Sequence, residues 1–476
     1  MNTDAASAIA DRFLLMAAAG LLVWCFLFGG DSSRSNPGMM VAELLAIPLL
    51  LAALVQCARR GSLSSARWGA FAALLILLLP VVQLLPMPDS LWSLSSDRVQ
   101  LLQDLNAVGV TAVDTRWTLS PSATERAIYF LLPGMALFFC MLGVGRSAWR
   151  QMLNLIVILC VANLVLGFAQ MIAGKNSVLN PYPQYAPYLG GIFANRNHQA
   201  DLLAIGLMLV ASFLLDAWYR RSTDRHAGRT IGLLALMAVA FVFSLPLAGS
   251  RAGVIVAMVM LLGVLLSSGL PSLNAFRRSR SLQAGGVVAF FVFATGLYAA
   301  FAWTTADVAI EGSRHTLLVE TLRIGGEQAP WGSGIGTFVQ TFQRGAGDAL
   351  LMHEFVNNAH NEYAQWWLEA GVAGVLVVAL VLMILAKTLV TLLRRRQESE
   401  ARLCGIAAIM GMGVVILHST VDYPLRTQSL LAVFAVLAGI AVAAASSQSS
   451  SGWIRRAGDP PADAVRVPRS RLPARR

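Results

Sequence analysis

Residues His353 to Gly374, HEFVNNAHNEYAQWWLEAGVAG, set an unusual run of polar side chains against a long apolar segment. Within it His360 is surrounded by Asn357, Asn358, Asn361 and Glu362. Those groups are enough to orient an imidazole and tune it as a general base. The plainer alternative is a histidine satisfied at a membrane interface. At helical spacing Asn357, His360 and Tyr363 share a face, and Trp366 and Trp367 fall where the polar segment meets a bilayer. Gly371 and Gly374 then open a membrane helix. His353 lies two helical turns earlier, and two histidines alone make a weak metal site, so none is expected.

Three arginines could supply the complementary charge. Arg196 stands in GGIFANRNHQAD, where Asn195, Asn197 and His198 also crowd the mouth of a helix, a place that favours an anion. Arg251 stands in LAGSRAG at a membrane boundary, between Gly249 and Gly253. It either snorkels to the interface or offers a guanidinium fork to phosphate. Arg314 lies near a membrane edge in an otherwise acidic segment, whereas Arg323 reads as a solvated surface pair. In HSTVDYPLRTQS, Asp422 and Arg426 are four residues apart. They either pair to close a helix hairpin or wall the same cavity. The glycines at 332, 334 and 336 match neither the dinucleotide nor the Walker pattern and read as a turn back to the membrane.

The elements that must position these groups are membrane helices. The chain has 476 residues, 57% hydrophobic and 13% charged, where a soluble domain has about 25% charged. Apolar runs of about 20 residues recur, the length that crosses a bilayer. An all-α polytopic integral membrane protein of about 12 transmembrane helices is expected. The spans lie near 12–29, 40–58, 68–85, 127–144, 151–173, 199–218, 231–248, 252–270, 283–304, 371–392, 403–420 and 428–446. The five cysteines lie in or beside these runs without paired spacing and read as core residues. The formal charge of +11 is concentrated in alternate connectors (59–67, 145–150, 219–230, 271–282 and 393–402) and in the tail. That pattern reports orientation rather than nucleic-acid binding, and it puts both termini in the cytoplasm. Connectors 86–126, 174–198 and 305–370 then face outward. Residues 1–180 form about five spans, 181–446 a core that includes the 305–370 loop, and 447–476 a disordered basic tail attracted to membrane lipids.

In order, GIFANRNH, a membrane-edge SRAG, PWGSGIGTF, AHNEYAQWWLEAGVAG and HSTVDYPL resemble the O-antigen ligase and polymerase family, over roughly residues 185–430. The resemblance implies a multi-pass inner-membrane glycosyltransferase of GT-C-like architecture with a periplasmic active site. It would move a glycan from undecaprenyl diphosphate to a sugar hydroxyl without a cofactor. By that analogy Arg251 and Arg314, with Arg196, bind the diphosphate, and His360 activates or positions the acceptor hydroxyl beside Asn361. Asn357, Tyr363 and Arg426 complete the site. The residues suit this chemistry independently, since arginines in a partly desolvated cleft stabilise a leaving diphosphate. One base then suffices for an inverting displacement. A ligase joining O-antigen to the lipid A core and a polymerase of O-antigen or exopolysaccharide differ only in acceptor; the motifs lean toward the ligase. The competing class is a transporter or flippase for an anionic lipid-linked saccharide. It would need ionisable residues near span midpoints, and the unusual polar groups instead gather on one face.

Overall fold

A computed structural model describes residues 3–32, 36–111, 114–183, 188–222, 225–267, 308–347, 356–395 and 399–447. Its principal helices are α1 (Thr3–Phe28), α2 (Pro37–Arg60), α3 (Arg67–Gln83), α4 (Ser96–Ala107), α5 (Pro121–Gly143), α6 (Arg146–Ala173) and α7 (Arg196–Tyr219). They continue as α8 (Ala227–Ser244), α9 (Arg251–Ser267), α10 (Val308–Gln328), α11 (Phe338–Gly345), α12 (Glu362–Arg394), α13 (Glu400–His418) and α14 (Gln428–Ser446). Among the described residues the one β-type contact is an isolated bridge between Pro86 and Arg116.

Eleven of the twelve expected spans coincide with these helices; the one near 283–304 lies outside the described residues. Among the described residues nine helices are long and apolar enough to cross a membrane, while α3 and α9 are apolar but shorter. Local sequence sets the ends. The Asn36 side chain accepts the Gly38 N–H to cap α2, with Pro37 in the first turn, and Gly61 closes the helix in a left-handed conformation.

α7 is buried along 78% of its apolar window and α13 along 72%, against 17% for α12. The first two are therefore central and α12 peripheral. One apolar core joins α1, α2, α5 and α6 to α7, α13 and α14, so it crosses the expected boundary near residue 180. All five cysteines are free and buried. Described arginines of the expected cytoplasmic connectors cluster at one end. Arg395 donates to the carbonyls of Ala444, Ala445 and Ser447 at the C-terminus of α14, and Arg60 pairs with Asp11. Cations there oppose the negative end of the helix dipole.

The other end carries a polar cap built from α4, α10 and α11. Arg98 of α4 is buried and donates to the carbonyls of Trp117 and Gly332, and burial pulls its guanidinium down to about 10. Arg323 pairs on the surface with Glu320 and Glu327, as expected. The PWGSG segment does return to the membrane helix. α12 is kinked at Gly371, where the backbone leaves helical geometry at φ 55°. There Ser333 and Gly334 donate to the Leu368 and Glu369 carbonyls, and Val372 donates to Pro330 O at 3.0 Å. The broken turn thus keeps its hydrogen bonds by borrowing them from the loop.

One expected register does not form. Residues 356–361 are irregular and the helix begins only at Glu362, so Asn357, His360 and Tyr363 share no helical face. Asn361 holds extended backbone and accepts the Ala364 N–H, the N-cap geometry that excludes helix upstream. His353 lies outside the described residues.

Candidate functional site

The site is assembled from three chain segments at the capped end of the bundle. The first is the N-terminus of α7, where Asn195 accepts the Asn197 N–H at 2.8 Å and thereby starts the helix. Asn197, His198 and Asp201 then point inward and are buried. The second is the turn from α13 to α14, where Pro424–Arg426 forms a single 3-10 turn and Asp422 is fully buried. The third is the loop ending in His360 and Asn361. Asn361 donates to Thr420 O at 2.7 Å, and the Glu362 N–H donates to Ser419 O at 2.9 Å. This stitching holds His360 at φ 48°, a left-handed conformation that costs a side-chain-bearing residue about 1 kcal/mol.

Asp422 is the hub. It accepts hydrogen bonds from the Tyr423 N–H at 2.8 Å, from Asn195 Nδ2 at 3.4 Å and from Asn197 Nδ2. His198 Nε2 lies 3.7 Å and His360 Nδ1 3.6 Å from its Oδ1. Both imidazoles meet the Tyr423 ring edge-on, at 5.1 and 4.7 Å. His198 is buried, whereas the His360 side chain is 28% exposed. Burial alone would raise the Asp422 carboxyl, but hydrogen bonding to His198 and His360, and their charge, hold it well below the usual carboxylate range.

A pH dependence follows. A depressed folded pKa adds stability above the unfolded carboxyl value near ~4, and loses it as pH falls through the lower folded value. Melting temperature between pH 3 and 7 is the check. The wild type is expected to lose stability below pH ~4 more steeply than Asp422→Asn, which lacks this titration. Equal acid slopes would show that Asp422 is not so held.

Behind this hub sit two further ionic groups. His418 Nδ1 and Asp201 Oδ1 are 2.6 Å apart with both side chains fully buried. Arg426 donates to Glu362 Oε2 at 3.0 Å and to Glu369 Oε2 at 3.0 Å. Burial would lower the Arg426 guanidinium, but the two carboxylates raise it above its ordinary value, so it stays charged. Of the two readings of Asp422 and Arg426, the pairing therefore does not occur, and Arg426 instead lines the cavity.

The three expected anion-binding arginines stand on α7, α9 and α10. Arg196 is the first residue of α7, over the Tyr188 ring at 5.2 Å. Arg251 is the first residue of α9, and a Cβ on Gly253 would lie 2.5 Å from Ala200 Cβ, so α9 and α7 touch half a turn below Arg251 and one turn below Arg196. Arg314 of α10 lies within electrostatic reach of His418, which Asp201 ties to α7. The N-termini of α7, α9, α12 and α14 all open at this end, and their dipoles add positive potential. Asn361 and Tyr363 are spent on structure: Asn361 caps α12 and ties it to Thr420, and the Tyr363 hydroxyl donates to Ile416 O at 2.8 Å. The Asn357 amide donates to Ser32 Oγ at 3.2 Å.

Beside the hub opens a cavity of about 780 Å³. Its polar end is lined by Asn195, His198, Asn357, Glu362, Tyr423 and Arg426. Its apolar body runs between α3, α5, α12 and α14, past Phe130, Met135, Leu385 and Phe434 as far as Gly69 and Val442. His360, Arg196, Arg251 and Arg314 do not line it.

Residues 188–379 match a family model described as O-antigen ligase. This stretch is an O-antigen ligase-family domain. The O-antigen ligase domain contains Arg196, His198, Arg251, Arg314, His360 and Glu362, and it ends within α12, short of the 430 expected from the motifs. Asp422 and Arg426 are thus supplied to the site from beyond the matched stretch. No curated protein shows a significant match to the chain.

His198, Asp201, His418 and Glu369 were not among the expected site residues. A signal existed for Asp201 and Glu369, since a carboxylate inside an apolar run demands a partner.

Proposed function

We propose that the chain transfers a glycan from undecaprenyl diphosphate to a sugar hydroxyl at the periplasmic face of the inner membrane, with both termini in the cytoplasm. The observation that carries this is His360, an exposed-edge imidazole on strained backbone beside the Asp422 carboxylate, with Arg196 and Arg251 at helix N-termini of the same end and Arg314 on α10. Asp422 favours the imidazolium that forms as His360 takes the acceptor hydroxyl proton. The arginines take up negative charge as the sugar–diphosphate bond breaks. Arg426, neutralised by two carboxylates, is a wall of the site rather than a diphosphate ligand. The arginine-rich opposite end supports the orientation. The amphipathic cavity suits the hydrocarbon chain of a lipid-borne substrate. The motif resemblance leans toward an O-antigen ligase over a polymerase, and the family match accommodates either.

A deletion strain complemented with wild type, Arg251→Ala or Arg314→Ala tests the assignment, with membrane levels checked. Each variant should cut transfer by about 10²-fold or more. Loss of the lipopolysaccharide ladder with accumulating lipid-linked polymer is the expected outcome for a ligase. A single repeat capping the core would mean an O-antigen polymerase, and an intact ladder with lost secreted polymer an exopolysaccharide polymerase. Full complementation by both variants would remove the diphosphate site.

A further inference from the structure

The polar end of the cavity has the wrong charge for a phosphate. Its guanidinium, Arg426, is already held by Glu362 and Glu369, two carboxylates against one cation. Arg196, Arg251 and Arg314 lie outside the lining. A diphosphate drawn to this end would meet net negative charge in a poorly screened interior.

What this end does offer is a hydrogen-bond acceptor. Glu362 is 3% exposed, and its Oε2 accepts from Arg426. Its other oxygen, Oε1, is buried without a hydrogen-bond partner, a costly arrangement unless a donor arrives. The amides of Asn195, Asn357 and Asn358 and the rings of Tyr423 and Trp366 line the same end. A carboxylate, amides and aromatic rings together match the hydroxyls and the C–H faces of a sugar.

We propose that this polar end is a sugar subsite, where Glu362 Oε1 accepts a hydrogen bond from a hydroxyl of an uncharged sugar and the apolar body holds hydrocarbon. This rests on the glycosyl-transfer function proposed above and adds to it a second pole. The arginines take the charged leaving group, and the cavity takes a neutral, hydroxylated part of a lipid-borne substrate.

The test is photo-crosslinking of a diazirine-bearing dodecyl maltoside to the full chain in lipid nanodiscs. It requires no turnover, so an inactive protein would sink the glycosyl-transfer function while leaving this result readable. Labelling of cavity residues should be saturable, competed by dodecyl maltoside and not by dodecyl phosphate. Glu362→Gln presents an amide donor where the carboxylate accepted, and should weaken labelling about tenfold, the loss of one charged hydrogen bond. Glu369→Gln disturbs the same ion triad from behind and should lower thermal stability without changing the labelling midpoint. Undecaprenyl phosphate is the second competitor. Competition by it would seat a phosphate at the polar end and overturn the proposal; no competition assigns the sugar to the acceptor. Stronger competition by dodecyl phosphate than by the maltoside overturns the proposal. So does an unchanged midpoint in Glu362→Gln, or an equal loss in Glu369→Gln.

Discussion

Replacing His360 with alanine is expected to leave a folded protein that transfers almost no glycan, with turnover reduced by about 10²–10⁴-fold. The side chain is 28% exposed, so what its removal costs is the contact with Asp422 and Tyr423 rather than core packing. The glycine substitution separates chemistry from structure. His360 sits at φ 48°, where glycine pays no steric penalty, so His360→Gly should be as inactive as the alanine variant. It should also be more stable than the alanine variant, by roughly 1 kcal/mol. Single-turnover transfer from purified lipid-linked donor, alongside thermal unfolding in nanodiscs, measures both. His198 is the control, because it shares Asp422 and Tyr423 but faces the cavity. If His360→Ala kept more than ~10% of turnover while His198→Ala abolished it, the base would be His198, and the reacting hydroxyl would lie inside the cavity.

The sequence carried the membrane spans and the segments that meet at the site, because hydropathy and capping are local. Asn195 stands at a helix mouth in the sequence and caps that helix in the structure. What it did not carry is who pairs with whom. Asp422 and Arg426 are four apart, and a helix would bring them together. Pro424 instead begins a 3-10 turn, which sends Asp422 to the histidines and Arg426 to α12. Asp201 and His418 are separated by most of the core domain and meet only because α7 and α13 pack centrally. His360 was placed on a helical face because the polar residues recur every third position. The N-cap at Asn361 overrides that period, and the left-handed backbone of His360 has no sequence signature outside glycine. Periodicity therefore found the segments, and tertiary packing chose the partners.

The second large effect lies away from the chemistry, at the break in α12. A Cβ on Gly371 would come within 2.2 Å of Pro330 O, 2.7 Å of Gly332 N and 2.7 Å of Trp331 C. These are backbone atoms, so no rotamer change relieves the overlap, and φ 55° adds strain for any L side chain. Gly371→Ala is expected to cost on the order of 3 kcal/mol or more, read as lower yield and a lower unfolding midpoint. Gly332 meets the same atoms from the other side, with Gly371 N at 2.5 Å. Gly332→Ala should do similar damage, and the double variant should fall well short of the sum, because one junction can be opened only once. Gly326, in α10 with nothing within 4 Å of its Cβ position, is the control: Gly326→Ala should be neutral or gain up to about 1 kcal/mol. A Gly371→Ala protein that melts with the wild type would mean that the kink is not fixed by this contact. If it is fixed, the damage reaches the site. The short segment 362–370 is held at its start by Asn361 and Ser419 and at its end by the PWGSG loop, and it carries both carboxylates that hold Arg426. Forcing the loop off Gly371 turns that segment about its one remaining anchor. Glycan transfer should therefore fall further in Gly371→Ala than the loss of folded protein explains.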